Sequence, residues 1–109
     1  MMVRHANEVP ARTMTMEGAS KVSMRLLVGR DDGAPHFAMR RFTVDPGGHT
    51  PAHEHPYEHE VYVLSGKGVV RGGRTLREVV AGDVVFMPAD EPHQFKATGA
   101  EPLVFLCIV

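Results

Sequence analysis

One cysteine, no excess charge of either sign and no apolar run of membrane-spanning length are what this chain most plainly lacks. A single thiol, Cys107, cannot close an internal disulfide, so the fold must rest on its core, and a reducing, cytoplasmic setting is expected. The opening stretch MMVRHANEV has neither the apolar run of a secretory signal nor that of a transmembrane span. Twelve Lys and Arg stand against 13 Asp and Glu, for a formal net charge of −1, with no long block of one sign. Nothing in that balance calls for nucleic acid or an anionic membrane as partner; a small-molecule ligand or a second copy of the chain is expected instead. With 109 residues there is material for one core but not for two.

What the chain does have is punctuation. Eleven glycines and eight prolines leave no helical pattern of useful length after the first thirty residues. The expected class is all-β. VSMRLLV (22–28) and FAMRRFTV (37–44) read as strands around the loop GRDDGAP (29–35), and DPGG (45–48) reads as a turn. EVYVLSG (60–66) supplies another strand, VVRGGRTLREV (69–79) a hairpin about Gly72 and Gly73, and AGDVVFMP (81–88) and LVFLCIV (103–109) two more. Many short strands with regular turns indicate a sandwich or small barrel over residues 21–109. Residues 1–20 are expected to be an arm or an edge strand.

The stretch HEHPYEHEVYVLSG, residues 53–66, places three histidines within seven positions. Side chains on a strand alternate faces, so His53 and His55 point the same way, and a bend at Pro56 lets His59 return to that side. His-x-His on a strand is a chelating arrangement, because imidazoles at alternate positions are close enough to share one ion. A fourth donor is expected from His93, in MPADEPHQF, just past a strand where a loop can turn it inward. A lone histidine is more often solvated or half-buried without chemical purpose. That is the reading for His5, His36 and His49, none of which has a second donor at chelating spacing.

GGHTPAHEHPYEHEVYVLSG followed by GDVVFMPADEPHQF resembles the two sequence motifs of the cupin superfamily. Gly47, His53, His55, His59 and Gly66 meet the spacing of the first motif, and Gly82, Pro88 and His93 that of the second. The usual later glycine of the second motif is Asp90 here, and its usual final asparagine is Ala97. Most cupins use glutamate as third ligand, and Glu60 is adjacent. However, six residues separate His59 from Gly66, as the motif asks, and strand parity turns only one of the two inward. The same parity sends Val61 and Val63 inside and Glu60, Tyr62 and Leu64 outside.

The resemblance implies a small double-stranded β-helix, the cupin jelly-roll barrel, with His53, His55, His59 and His93 around a divalent metal. Manganese or iron is implied by the resemblance; imidazole donors alone suit zinc, nickel or copper as well. Four neutral ligands leave such a centre cationic and attractive to oxygen anions. The expected function is metal-dependent oxidoreduction of the dioxygenase type on a small oxygen-bearing or unsaturated organic molecule. Isomerase or decarboxylase chemistry belongs to the same class, and the alternative is a non-catalytic module that binds a small molecule or metal. Arg40, Met87, Phe95, Phe105 and Cys107 are candidate pocket residues, with Arg40 able to pair with a substrate carboxylate if it, and not Met39, faces inward. Glu54 and Glu58 point away from the histidines by parity. The apolar outer positions Tyr62 and Leu64 and the strand-forming ends lead to an expected homodimer.

Overall fold

A computed structural model describes all 109 residues. Nine strands form one antiparallel sheet that curls on itself: β1 Arg12–Thr13, β2 Ser20–Val28, β3 Met39–His49, β4 His59–Ser65, β5 Lys67–Gly72, β6 Thr75–Val80, β7 Val84–Met87, β8 His93–Ala97 and β9 Leu103–Ile108. The spatial order is β6-β5-β8-β3-β9-β4-β7, with β2 also paired to β3 and β1 to β2. The only helical pieces are two single 3-10 turns, Ala6–Glu8 and Arg30–Asp32. No helix is long and apolar enough to cross a membrane.

The all-β jelly roll expected from the strand pattern is the architecture found. Its register explains which residues fill it. Arg40 pairs with Cys107 and Cys107 with Val61; two residues along, Phe42 pairs with Phe105 and Phe105 with Val63; and Val44 pairs with Leu103. Because side chains two apart share a face, these three rows all point inward. Val44, Val63 and Leu103 have no exposed surface, and Phe42, Phe95 and Phe105 stack with ring centroids 5.3 and 4.5 Å apart. Each fully buried aliphatic side chain contributes about 2 kcal/mol. Outward positions on the same strands stay exposed, among them Tyr62 at 48% and Leu64 at 41%. With Val84 and Phe86 of β7 they leave an apolar strip on the outside of the barrel.

Three local expectations differ from the structure. DPGG does not interrupt the strand: β3 continues through it to His49, opposite a register shift between Ser20 and Val22 where Lys21 adopts φ 55°. Val44 pairs with Val22 and His49 with Ser20, so the four residues 45–48 stand opposite Lys21 alone and the irregularity lies in DPGG itself. Gly48 permits it, since a Cβ there would lie 2.5 Å from the Ser20 carbonyl oxygen. Second, His93 is not on a loop but is the first residue of β8, a strand whose alternation His93, Phe95, Ala97 in and Lys96 out is hidden by its shortness. Third, β7 is only the Val84–Met87 part of 81–88, because Ala81 and Gly82 form the turn into it.

Residues 1–20 lie along β2 of their own chain. Arg12 and Thr13 pair with Met24 and Ser23, Arg4 bridges Asp32 at 3.0 Å, and Arg25 donates to the carbonyl of Asn7 at 3.2 Å.

Gly66 sits between β4 and β5 at φ 79°, and a Cβ there would come within 2.1 Å of the Pro102 carbonyl oxygen. Both the left-handed backbone and the clash with main chain must be relieved, so Gly66→Ala should lower stability by roughly 3 kcal/mol. Urea unfolding measures it; an unchanged midpoint would contradict the packing described.

Candidate metal centre

The segment between β3 and β4 has little regular structure of its own, yet it is held at three points along 90–95. Thr50 donates its N–H to the Phe95 carbonyl at 2.9 Å and accepts the Phe95 N–H on its hydroxyl at 2.9 Å. His53 and His93 form a β-bridge, His53 N–H to His93 O at 3.1 Å and His93 N–H to His53 O at 2.8 Å. Asp90 donates its N–H to the His55 carbonyl at 2.6 Å. Asp90 stands where the second cupin motif usually has glycine, and its φ is 65°. The left-handed conformation is thus kept by a residue type that tolerates it.

These bonds converge the histidines. One ring nitrogen each from His53, His55 and His93 lies within 4.8 Å of the others. His59, the first residue of β4, lies beside this set with its ring centroid 4.8 Å from that of His93 and 5.2 Å from that of His55. His59 and His93 are each 6% exposed, whereas Glu60 is on the exposed outer face. His49 lies outside the set, its ring against the Thr50 carbonyl and Gln94.

Hydrogen bonds on the far side of two rings decide which nitrogen is bare. His93 donates Nδ1–H to the Glu91 carbonyl at 2.9 Å, leaving Nε2 as a lone pair. Nδ1 of His59 faces the Cys107 sulfur at 3.4 Å and Nη2 of Arg40 at 3.5 Å, while its Nε2 is buried with no partner. Nδ1 is thus occupied by neighbours of the chain, and Nε2 is the ring atom left without a partner. Such an atom fits a divalent cation.

Burial and neighbouring charge favour the neutral form of His53, His55 and His59. Burial first, then the charge of neighbouring His55, His93 and Arg40, pushes His53 down to about 4. His59 is pushed down to about 4 by burial, followed by His93, Arg40, His55 and His53. His55 is lowered in the same way, by burial first. Only neutral imidazole can donate to a metal, so the pocket supplies ligands already in the required state.

The rings open into a cavity of about 250 Å³. Arg40, Met87, Phe95, Phe105 and Cys107, the pocket candidates named from sequence, all line it. Arg40 rather than Met39 takes the inward position, its guanidinium 5.0 Å from the centre of the Phe42 ring. Further lining residues escaped sequence reasoning: Thr50 and Pro51, Tyr57, and above all Met14 and Met16 from the first twenty residues. Tyr57 stacks on His55, the planes within 2°, at the cavity mouth. The methionines lie too far from the motifs in sequence for spacing to reveal them. No Asp or Glu lines the cavity, and Glu54 and Glu58 are exposed.

A curled antiparallel barrel with a histidine cluster at its inner face defines a jelly-roll protein whose clustered donors are compatible with a divalent metal. The chain belongs to the cupin domain family, whose model matches residues 40–109. In sequence it is similar to the 1-methylthio-D-xylulose 5-phosphate methylsulfurylase of Rhodospirillum rubrum, 41% identical over 71 residues, covering 65% of this chain and 46% of that protein. The chain spans about half the length of the relatives it matches in sequence. Its structure is similar to that of the polyketide cyclase RemF from Streptomyces resistomycificus, with TM-score 0.91 and 36% identity over 99% of this chain and 78% of that one. It is also similar to a predicted oxalate decarboxylase from Thermotoga maritima, with TM-score 0.88 and 29% identity over 98% and 96% of the two chains.

The depressed histidines carry a pH signature in metal-free protein. Their folded values near 4 lie below the ordinary 6.5, so between those limits the unfolded chain binds more protons than the folded one. Stability is therefore complete above about pH 6.5 and is lost as pH falls toward 4. The thermal midpoint should drop across that window, and His59→Gln should flatten the drop; an equal slope in both proteins would contradict burial of a neutral His59.

Proposed function

We propose that this chain is a metal-dependent enzyme in which His53, His55, His59 and His93 hold a divalent ion, manganese or iron, and that it transforms a small oxygen-bearing or unsaturated molecule in the adjoining cavity. The observation that carries this reading is the buried Nε2 of His59, which has no partner and lies beside the three clustered histidines. Leaving such an atom unsatisfied is costly, and a cation at the cluster would satisfy it. The ion, when bound, supplies Lewis acidity toward an oxygen substituent, with oxidation of the dioxygenase type as the redox form of the same chemistry.

The chain's own residues set the conditions for that chemistry. The Glu91 carbonyl fixes the tautomer of His93, and Cys107 and Arg40 occupy Nδ1 of His59, so Nε2 is the free nitrogen of both rings. Burial raises the Cys107 thiol above its ordinary range, which keeps it protonated and makes it an orienting partner for His59, not a nucleophile. Phe42, Phe95, Phe105 and Met87 exclude water from the inner wall. With no carboxylate lining the cavity and its four histidines committed to the ion, proton transfer falls to Tyr57 or to the substrate itself. The reactions named for the relatives, a methylsulfurylase, a polyketide cyclase and a predicted oxalate decarboxylase, differ from one another. They support a reading at the level of small carbonyl- or enol-bearing substrates.

Metal analysis of protein purified without a histidine tag, joined to electron paramagnetic resonance, tests the proposal. The expected result is near-stoichiometric manganese or iron whose signal shifts when small oxygen ligands are added, with metal content reduced about tenfold or more in His59→Ala. Stoichiometric zinc that responds to no ligand would replace the enzyme with a non-catalytic binding module, and full occupancy in His59→Ala would remove His59 from the ligand set.

A further inference from the structure

Arg40 is a cation placed where nothing in the chain neutralises it. Its side chain enters the cavity from β3, and Nη2 donates to the Cys107 sulfur at 3.1 Å. The other neighbours are the Nδ1 edge of His59 at 3.5 Å and the face of Phe42. Its Nε is buried and has no hydrogen-bond partner. The only ion pair within 4.0 Å in the molecule is Arg4 with Asp32, far from this wall, and no Asp or Glu lines the cavity. A guanidinium held among a thiol, an aromatic ring and neutral imidazoles is an expensive arrangement unless an anion completes it.

Nε and Nη2 form one side of the guanidinium fork, which matches the two oxygens of a carboxylate or the oxygens of an enolised dicarbonyl. Beside it runs a wall of flat rings, Phe42 against Phe105 at 17° and Phe95 against Phe105 at 26°. Phe42 and Phe105 form one inward row of the sheet, next to the Arg40–Cys107 row. Because Arg40 lies within 3.5 Å of His59, an anion on the guanidinium is also adjacent to the histidine cluster.

We propose that the cavity selects a small, flat, conjugated oxyanion, received by the guanidinium of Arg40 and packed against the apolar Phe42–Phe105–Phe95 wall. The inference rests on the reading above only in placing the ligand in this cavity. Arg40 is the specificity-determining residue of the pocket: it discriminates an acid from its uncharged isostere, whereas the phenylalanine wall discriminates by shape. The displaced partner is only the Cys107 sulfur, a weak acceptor, so the exchange of thiol for carboxylate is favourable.

Isothermal titration calorimetry with salicylate and its neutral isostere salicylamide, on metal-free and zinc-loaded protein, tests this. Wild type should bind salicylate at least about tenfold more tightly than salicylamide, the margin of a charge-assisted hydrogen bond. Arg40→Gln should lose about tenfold or more for salicylate and nothing for salicylamide, and Arg40→Lys should recover part of the loss. Equal binding of acid and amide, unchanged salicylate binding in Arg40→Gln, or no saturable binding of salicylate to wild type would each overturn the proposal. The acid-to-amide contrast needs no variant, so it decides even if a substitution prevents folding. Arg40-dependent binding in protein that takes up no metal would sink the metal-centre reading and leave this one standing; metal uptake with charge-blind binding would do the reverse.

Discussion

The backbone pairing of 50–55 with 90–95 is the constraint on which the rest of the site depends. His53 and His55 lie on a stretch with almost no strand structure of its own, and their mutual geometry is borrowed from β8. The His53–His93 bridge fixes two rings at once; the Asp90 N–H on the His55 carbonyl fixes the third; and Thr50 anchors the segment to Phe95. β4 then begins at His59, which its pairing with Met87 sets against the same wall. Side-chain position thus follows from main-chain hydrogen bonds, which are stiff, and not from rotamer choice on a loop.

That stiffness brings imidazoles together in an environment that resists their protonation. Burial dominates the depression at His53 and His59, and the Arg40 guanidinium adds to it. One cation therefore serves two ends: it favours neutral donors at the cluster, and it leaves positive potential in the cavity for a ligand to meet. The absence of lining carboxylates keeps both effects uncancelled. Cys107 sits where these roles join, accepting from Arg40 and facing His59.

Much of this was legible in the sequence because strand parity is unforgiving. Alternation placed Val61 and Val63 inside and Tyr62 and Leu64 outside, and the structure buries the first pair and exposes the second. Parity likewise set Phe105 and Cys107 on one face, and both line the cavity. The HxH spacing and the glycine-bounded strands resembled the cupin motifs, and the family match covers the same part of the chain. What parity could not reach was irregular. DPGG is an irregularity carried within β3, four residues opposite Lys21, and local composition does not distinguish that from a turn between strands. β8 is five residues long, too short for alternation to stand out, so His93 was read as a loop residue. Met14 and Met16 reach the cavity through the packing of the first twenty residues on β2, a contact set by tertiary structure alone.

The central proposal is that the main-chain frame brings His53, His55, His93 and Nε2 of His59 together to hold one cation. Scalar coupling between spin-active cadmium and the ring nitrogens of isotopically labelled histidine reports metal–nitrogen bonds directly, residue by residue. The account predicts coupling at His53, His55 and His93 and at Nε2, not Nδ1, of His59. Coupling confined to the first three, or no cadmium bound at all, would contradict it.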